Sequence, residues 1–526
     1  MDLIVSIAPI ILLIFLMTKK SSMPSHVAMP LVAALVYAIK LVYFGENANL
    51  VNATVVNGLL TALTPILIVW GAIFMFKTME HSGAMAMVSQ WLNGVSANPV
   101  AQLMIIGWAF SFMIEGASGF GTPAALAAPI LVGLGFPALK VAVLALIMNS
   151  VPVSFGAVGT PLWFGLGQLN LSDAELLAIG FQTALVHAAA ALVIPIIALL
   201  SVVGWREVRR NLLFVYLSIL ACTVPYVLLA LYNYEFPALL AGMIGFAVSI
   251  VLARNGVGLS RAGTATPTPS GARISTGQLV KALFPLWATV LLLLVTRIEP
   301  IGLQAFLTDA TPALQVSLGT FAEFSTSWSL VLVLDRIFEA DSRWVLQALY
   351  VPAIIPFFVV SAMTFALFRV RGSVIIRVAA ESYGRMVNTI IALLAALVLV
   401  SLLMVGEESM VIRIGQGFAS VTGPHWQYVA ALLGALGTFF SGSATISNLT
   451  FGAIQDSIAT DLGLDRILVL SLQSVGAAMG NMVSINNVVA VCSILGIANK
   501  EGAILKKTFP PMIVYAVFAG AAGLLL

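Results

Sequence analysis

Charge is scarce in this chain. Only 9% of its 526 residues are Asp, Glu, Lys or Arg, against about 25% in soluble domains. A water-soluble globular fold is thereby excluded. Cysteine is nearly absent as well: Cys222 and Cys492 lie far apart, each inside an apolar run. They read as packing residues, which leaves no disulfide framework and no cysteine-based metal centre. The phosphate-cradling glycine loop with its lysine is missing, as are zinc-ligand spacings, and no polar stretch is long enough to house an ATPase. The chain alone is therefore not expected to be a primary pump. It calls for no metal, no cofactor and no nucleic-acid partner.

What is present is apolar surface. Hydrophobic residues make up 60% of the chain, and the mean hydropathy is +1.07. Runs of about 20 residues, enough to cross a bilayer, recur from end to end. Residues 3–18, followed by Lys19 and Lys20, read as the first span, because a signal peptide carries its charges before the apolar run. The expected class is an all-α polytopic protein of the bacterial inner membrane, surrounded by lipid; a homo-oligomer is compatible with it. Lys and Arg cluster at 19–20, 77, 140, 206–210, 254–281, 369–385 and 500–507, while loops 44–50, 171–175 and 232–236 carry none. The positive-inside rule then puts the clusters in the cytoplasm and the N-terminus outside. On the same reading Arg297 and Arg413 snorkel at outer boundaries, and "GEESM" (406–410) is an extracellular turn.

The sequence also repeats itself. "EGASGFGTP" (115–123) precedes "LGFPALKVAVLALIMNSVPVSFGAVGTPL" (134–162), and "SGSATISNL" (441–449) precedes "LGLDRILVLSLQSVGAAMGNMVSINNVV" (462–489). The offset is about 326 residues (441 less 115), with the same order of small-polar break, apolar run and second break. This divides the chain into a first repeat at 1–203, a central region of inserted spans at 204–325, and a second repeat at 326–526. A polar linker at 254–278 lies in the central region, and the span count in 298–344 stays open. The charge pattern sends the run 26–44 outward and its counterpart 345–368 inward. That is an inverted repeat, a layout of many secondary transporters.

The breaks carry the chemistry. Backbone without hydrogen-bond partners costs several kcal/mol in hydrocarbon, so irregular backbone survives there only inside protein or beside water. Gly116, Gly119, Gly121 and Pro123 split one apolar segment into a re-entrant hairpin, and "SFGAVGTP" (154–161) breaks the next. "SGSATISN" (441–448) and "GNMVSINN" (480–487) form the matching pair. Helix N-termini exposed at such breaks suit a carboxylate; carbonyls and Ser, Thr or Asn oxygens suit a small cation. Small residues also serve plain helix packing in membranes, but four breaks paired by a repeat favour a binding site. The expected polar lining is Ser118, Gly119, Gly121, Thr122, Ser154, Ser443, Thr445, Ser447, Asn448, Asn486 and Asn487. Glu115, an ionisable group among apolar residues, is a candidate proton carrier or a structural acceptor at the hairpin tip. His187 in "ALVHAAAAL" reads as a packing histidine or a proton relay.

"IEGASGFGTPAALAAPILVGLGF" (114–136), "NSVPVSFGAVGTPL" (149–162), "FSGSATISN" (440–448) and "ILGIANKEGAILKK" (494–507) resemble signature segments of the L-lactate permease family. The first-repeat match runs over some fifty residues, and the likeness in hydropathy covers most of the chain. The resemblance implies a symporter importing lactate or a related 2-hydroxy monocarboxylate with protons. It also implies paired re-entrant hairpins, and "ISNLT" (446–450) is similar to a Ser-Asn-Thr motif of the wider ion-transporter superfamily. Two positions depart from the family pattern: Ala444 stands where its aspartate is expected, and Asn481 where its lysine is. A sodium-coupled carrier of another organic anion is the alternative. An intramembrane enzyme would need a catalytic His–Glu or Cys–His cluster, which the sequence does not offer, and a channel would not need two matched hairpins.

Overall fold

The computed structural model describes residues 1–18, 23–119, 122–260, 274–297, 302–406, 409–497 and 500–525. Among them, nine helices are long and apolar enough to cross a bilayer, or up to eleven if two bent pairs each count as one span. The chain folds as two compact units, Met1–Val88 with Ser275–Ile414, and Ser89–Ile274 with Gly415–Leu526.

The first unit is organised around the 33-residue helix Gly372–Met404. At one end Glu381 pairs with Lys77 (3.0 Å) and His81 (3.0 Å), at the close of helix Leu63–His81. At the other, Lys40 Nζ donates to the carbonyl of Val405 at 2.6 Å. Arg413 there pairs with Asp2 (2.6 Å) and lies over the Phe44 ring. Charged pairs thus collect at the two ends, and apolar residues fill the length between, as a bilayer demands. Of Arg297 only its place in the helix is described, and Glu407 and Glu408 of the expected extracellular turn fall outside the described residues.

The stretch in which hydropathy leaves the span count open contains a small antiparallel meander. Its strands, in order, are β1 (Pro312–Ser317), β2 (Glu323–Ser327), β3 (Val331–Asp335) and β4 (Arg343–Gln347). "VLVLD" and "RWVLQ" carry β-branched and aromatic residues in register, with Val333 opposite Val345 and Leu334 opposite Trp344. Asn57 donates to Ser342 Oγ (3.0 Å) and the Arg343 carbonyl (3.1 Å), fastening the meander to helix Ala48–Thr61.

The second unit holds both interrupted pairs. The first hairpin runs through Pro99–Ser118, breaks at Gly119, and returns as Thr122–Gly133. The first broken span is Ala138–Met148 followed by Gly156–Trp163, bent by 66°. The second hairpin is Ala430–Ser441 and Ala444–Leu462, interrupted at Gly442–Ser443. The second broken span is Arg466–Gly480 and Ile485–Ile494. Two of these elements, Pro99–Ser118 and Arg466–Cys492, are 94% buried within protein, whereas Leu212–Ala230 is 39% buried. The interrupted segments are thus shielded from lipid, which is what irregular backbone requires.

The inversion is visible in two basic side chains. Asp173–Leu200 crosses the unit from end to end. Lys140, in the first turn of the first broken span, donates to the Val202 carbonyl (3.3 Å) just beyond one end of it. Arg466, which opens the second broken span, reaches the opposite end. It pairs there with Glu175 (2.7 Å) and Asp456 and donates to the Leu169 carbonyl (3.1 Å). The two broken spans therefore enter the unit from opposite sides.

Candidate functional site

Gly119 and Gly442 each end a helix. Both have positive φ, +59° and +76°, a conformation that L side chains adopt at a cost and glycine adopts freely. Each glycine lets its chain reverse, so that the tip of its hairpin faces the interior of the unit. A more severe distortion follows Gly156. Ala157 (φ 43°), Val158 (φ 58°) and Gly159 (φ 71°) are left-handed in succession. For a β-branched residue this is a genuine outlier, costing on the order of 1–3 kcal/mol, and such strain gathers at binding sites. The carbonyls freed at the breaks find donors: Trp163 Nε1 to Val158 (2.9 Å), Tyr226 Oη to Val151 (3.3 Å), Asn448 Nδ2 to Pro161 (2.8 Å) and Asn486 Nδ2 to Ser441 (3.0 Å).

Between the breaks lies a cavity of about 20 Å³. Glu115 and Gly119 of the first hairpin, Gly156 and Pro161 of the first broken span, Ser443–Thr445 of the second hairpin, and Asn481 of the second broken span face it. This volume is close to what one water needs.

Glu115 is 3% exposed, and its Oε2 accepts from Asn149 Nδ2 at 3.1 Å. Its Oε1 lies where residue 156 has no side chain, since a Cβ there would stand 2.6 Å from it. Across the cavity, Ser443 caps helix Ala444–Leu462 by accepting from the Ile446 N–H at 3.3 Å. The first-turn N–H groups of a helix have no intrahelical acceptor, and the macrodipole adds partial positive charge there. Thr445, 1% exposed, has a hydroxyl with no hydrogen-bond partner, and the Asn149 Oδ1 is likewise unpartnered. Unpaired buried polar atoms are uncommon in native folds, and here two of them lie close to a buried carboxyl.

The expected lining residues separate by what they touch. Gly119, Ser443 and Thr445 face the cavity. Ser118 turns its hydroxyl back to the Ile114 carbonyl (2.9 Å). Ser447 donates to Gly434 (2.7 Å) inside its hairpin. Asn448 ties its helix to Pro161 and accepts from Gln473 (3.3 Å). Asn487 donates to Asn481 Oδ1 (2.5 Å), and Asn486 is exposed. Gly121 lies outside the described residues; of Thr122 only its place as the first residue of its helix is described. Ser154 and His187 form a separate buried chain: Ser474 donates to Ser154 (3.0 Å), Ser154 meets His187 Nε2 (2.8 Å), and His187 Nδ1 meets Tyr515 Oη (2.5 Å). Both ring nitrogens are satisfied by neutral groups, an arrangement that suits an uncharged imidazole.

Asn149, Ser474, Tyr515, Gln455 and Gln473 escape a reading focused on the breaks. Gln455 donates to Gln473 (3.0 Å) and accepts from Trp426 (2.6 Å), so the two glutamines continue the Asn448 network into the hairpin. Two amides within apolar helices were the available signal, since such groups need partners when buried.

Comparison with known proteins finds relatives along the whole chain. The family described as L-lactate permease matches residues 2–526. This chain belongs to that family. A Haemophilus influenzae protein provisionally named L-lactate permease is 49% identical, over 100% of this chain and 98% of its own length. The glycolate permease of Escherichia coli is 24% identical over 99% of this chain and 95% of its own. Among solved structures, the Alcanivorax borkumensis YdaH transporter is similar over 98% of each chain, with 14% identity and a TM-score of 0.44. As a permease-family member the chain is a multi-pass protein of the inner membrane and a membrane transporter, not an enzyme.

Proposed function

We propose that this permease imports lactate or a related 2-hydroxy monocarboxylate in symport with a proton carried by Glu115. The observation that carries the reading is the cavity itself. It sets a buried carboxyl, with Asn149 its hydrogen-bond donor among the described residues, opposite a helix N-terminus with an unpartnered Thr445 hydroxyl. A substrate carboxylate bound at Ser443, Thr445 and the first-turn N–H groups is favoured by the helix dipole. It would stand beside Glu115, and two carboxylates in a water-poor site repel strongly. Protonation of Glu115 removes the repulsion and turns an acceptor into a donor for the substrate. Anion and proton then bind together and cross as a neutral pair, which the membrane potential does not oppose.

The remaining expected residues take graded parts. Gly119 shapes the first tip. Ser118, Ser447, Asn448, Asn486 and Asn487 hold the breaks in register, while Ser154 and His187 position the first broken span. A sodium-coupled mechanism is the second reading, favoured by the unpartnered oxygens of Asn149 and Thr445 close to a carboxylate. Proteoliposomes separate the two. Glu115→Gln should abolish lactate accumulation driven by an imposed pH gradient yet retain lactate exchange, because exchange needs only the loaded carrier to cross. Undiminished pH-driven accumulation by the variant removes Glu115 from coupling; accumulation by the wild type on sodium alone replaces the proton with sodium.

A further inference from the structure

A second feature lies in the unit that does not contain this cavity. A groove of about 580 Å³ is lined by Phe74, Phe358, Ala362, Phe365, Arg369 and Ile375. It runs along the apolar helix Val360–Leu367 to the corner where the chain turns into Gly372–Met404. That corner is cationic. Arg369, Arg371, Arg377 and Arg385 are all exposed, and Lys281 stands 4.7 Å from the centre of the Phe368 ring. Glu381 is the single acid between 369 and 385, and its carboxylate is engaged by Lys77 and His81. No acidic side chain is among the described residues lining the groove.

We propose that this groove is a binding site for an anionic phospholipid, with an acyl chain against the phenylalanines and the phosphate on Arg369 and Arg371. Helix Gly372–Met404 has 33 residues, about 50 Å at 1.5 Å each, well beyond a hydrocarbon core of about 30 Å. Its first turns therefore belong to the headgroup layer. Ile376 (73% exposed) and Tyr383 (55% exposed) share a face there beside the arginines, the pattern of a segment lying at an anionic membrane surface. An aqueous anion would leave the aromatic groove unused, and a zwitterionic lipid would bring its own cation against the arginines.

The full-length protein in mild detergent tests this by native mass spectrometry with added phosphatidylglycerol or phosphatidylcholine. Wild type should retain phosphatidylglycerol at least about tenfold more than phosphatidylcholine, at roughly fivefold per surface cation. Equal retention of the two overturns the site without any variant. Arg369→Asn with Arg371→Asn should lower phosphatidylglycerol retention by more than about tenfold. Asparagine suits residue 369, whose φ is +51°. Lysine at both positions should restore retention. Ala362→Trp, which fills the groove and keeps every charge, should lower it too, and excess inorganic phosphate should not displace the lipid. Displacement by phosphate, or full retention by the Asn or Trp variant, assigns the corner to a free anion or to unselective lipid and ends the proposal.

Discussion

Thr445 concentrates the question of function in a single hydroxyl. Its side chain is buried and makes no hydrogen bond within the fold, so it gives up its hydration without a return. Valine has nearly the same shape and no polar atom. Thr445→Val should therefore leave thermal stability unchanged or raise it, by up to about 1 kcal/mol. Losing a hydrogen bond to a charged ligand costs about 1.5–3 kcal/mol, so the KM for lactate should rise by roughly tenfold or more. Thermal unfolding and uptake kinetics on the same preparation read both quantities. A drop in stability with an unchanged KM would make Thr445 a structural residue. Gly156 acts at the same scale by omission, because any side chain there would occupy the space of Glu115 Oε1.

Among elements, the decisive contacts are those that hold two interrupted helices together. Asn448 donates from the second hairpin to the Pro161 carbonyl of the first broken span at 2.8 Å, next to the strained Ala157–Gly159 turn. Proline at 161 fits the restart of that helix, and the residues around it need an outside donor for the carbonyl. Asn448→Ala leaves that carbonyl without its donor in a buried place and removes one of the acceptors of Gln473 Nε2. A loss of about 1–3 kcal/mol in stability is expected, together with a marked fall in uptake as the breaks lose register. Denaturation and transport assays on the purified variant check it; an unchanged melting temperature would show that the cross-link carries no weight. Arg466 does the corresponding work at the rim, joining the starts of two spans to the far parts of two others through Glu175, Asp456 and Leu169.

At the scale of the whole molecule, sidedness follows from charge. The loop before Asp173 carries no Lys or Arg, while Arg206, Arg209 and Arg210 crowd the end beyond Leu200. These are the two ends of one span, so they face opposite compartments, with the arginines in the cytoplasm. Cysteine labelling can see this, because Cys222 and Cys492 are both buried. Ser172→Cys in intact cells should react with a membrane-impermeant maleimide, and Glu207→Cys only after the membrane is opened. The reverse pattern would invert the assigned orientation.

Composition, period and punctuation determine much of this protein before any packing is considered. A chain with 9% charge and repeated apolar runs has to be a membrane protein, because water cannot solvate it and lipid can. The four breaks were legible because glycine, proline and small polar residues are the local causes of helix interruption, and local causes are written in sequence. The inversion was legible because lysine and arginine settle by side of the membrane. Tertiary structure decided what is non-local. Which polar side chains face the cavity and which bond to a neighbouring helix depends on rotation about each helix axis and on partners hundreds of residues away. Ser443 and Thr445 thus came to the site while Asn448, three residues beyond Thr445, went to Pro161. Asn149 beside Glu115 and Tyr515 beside His187 were invisible for the same reason. The meander at 312–347 was hidden differently: its strands of five or six residues are too short for hydropathy windows, and their stability comes from pairing with one another.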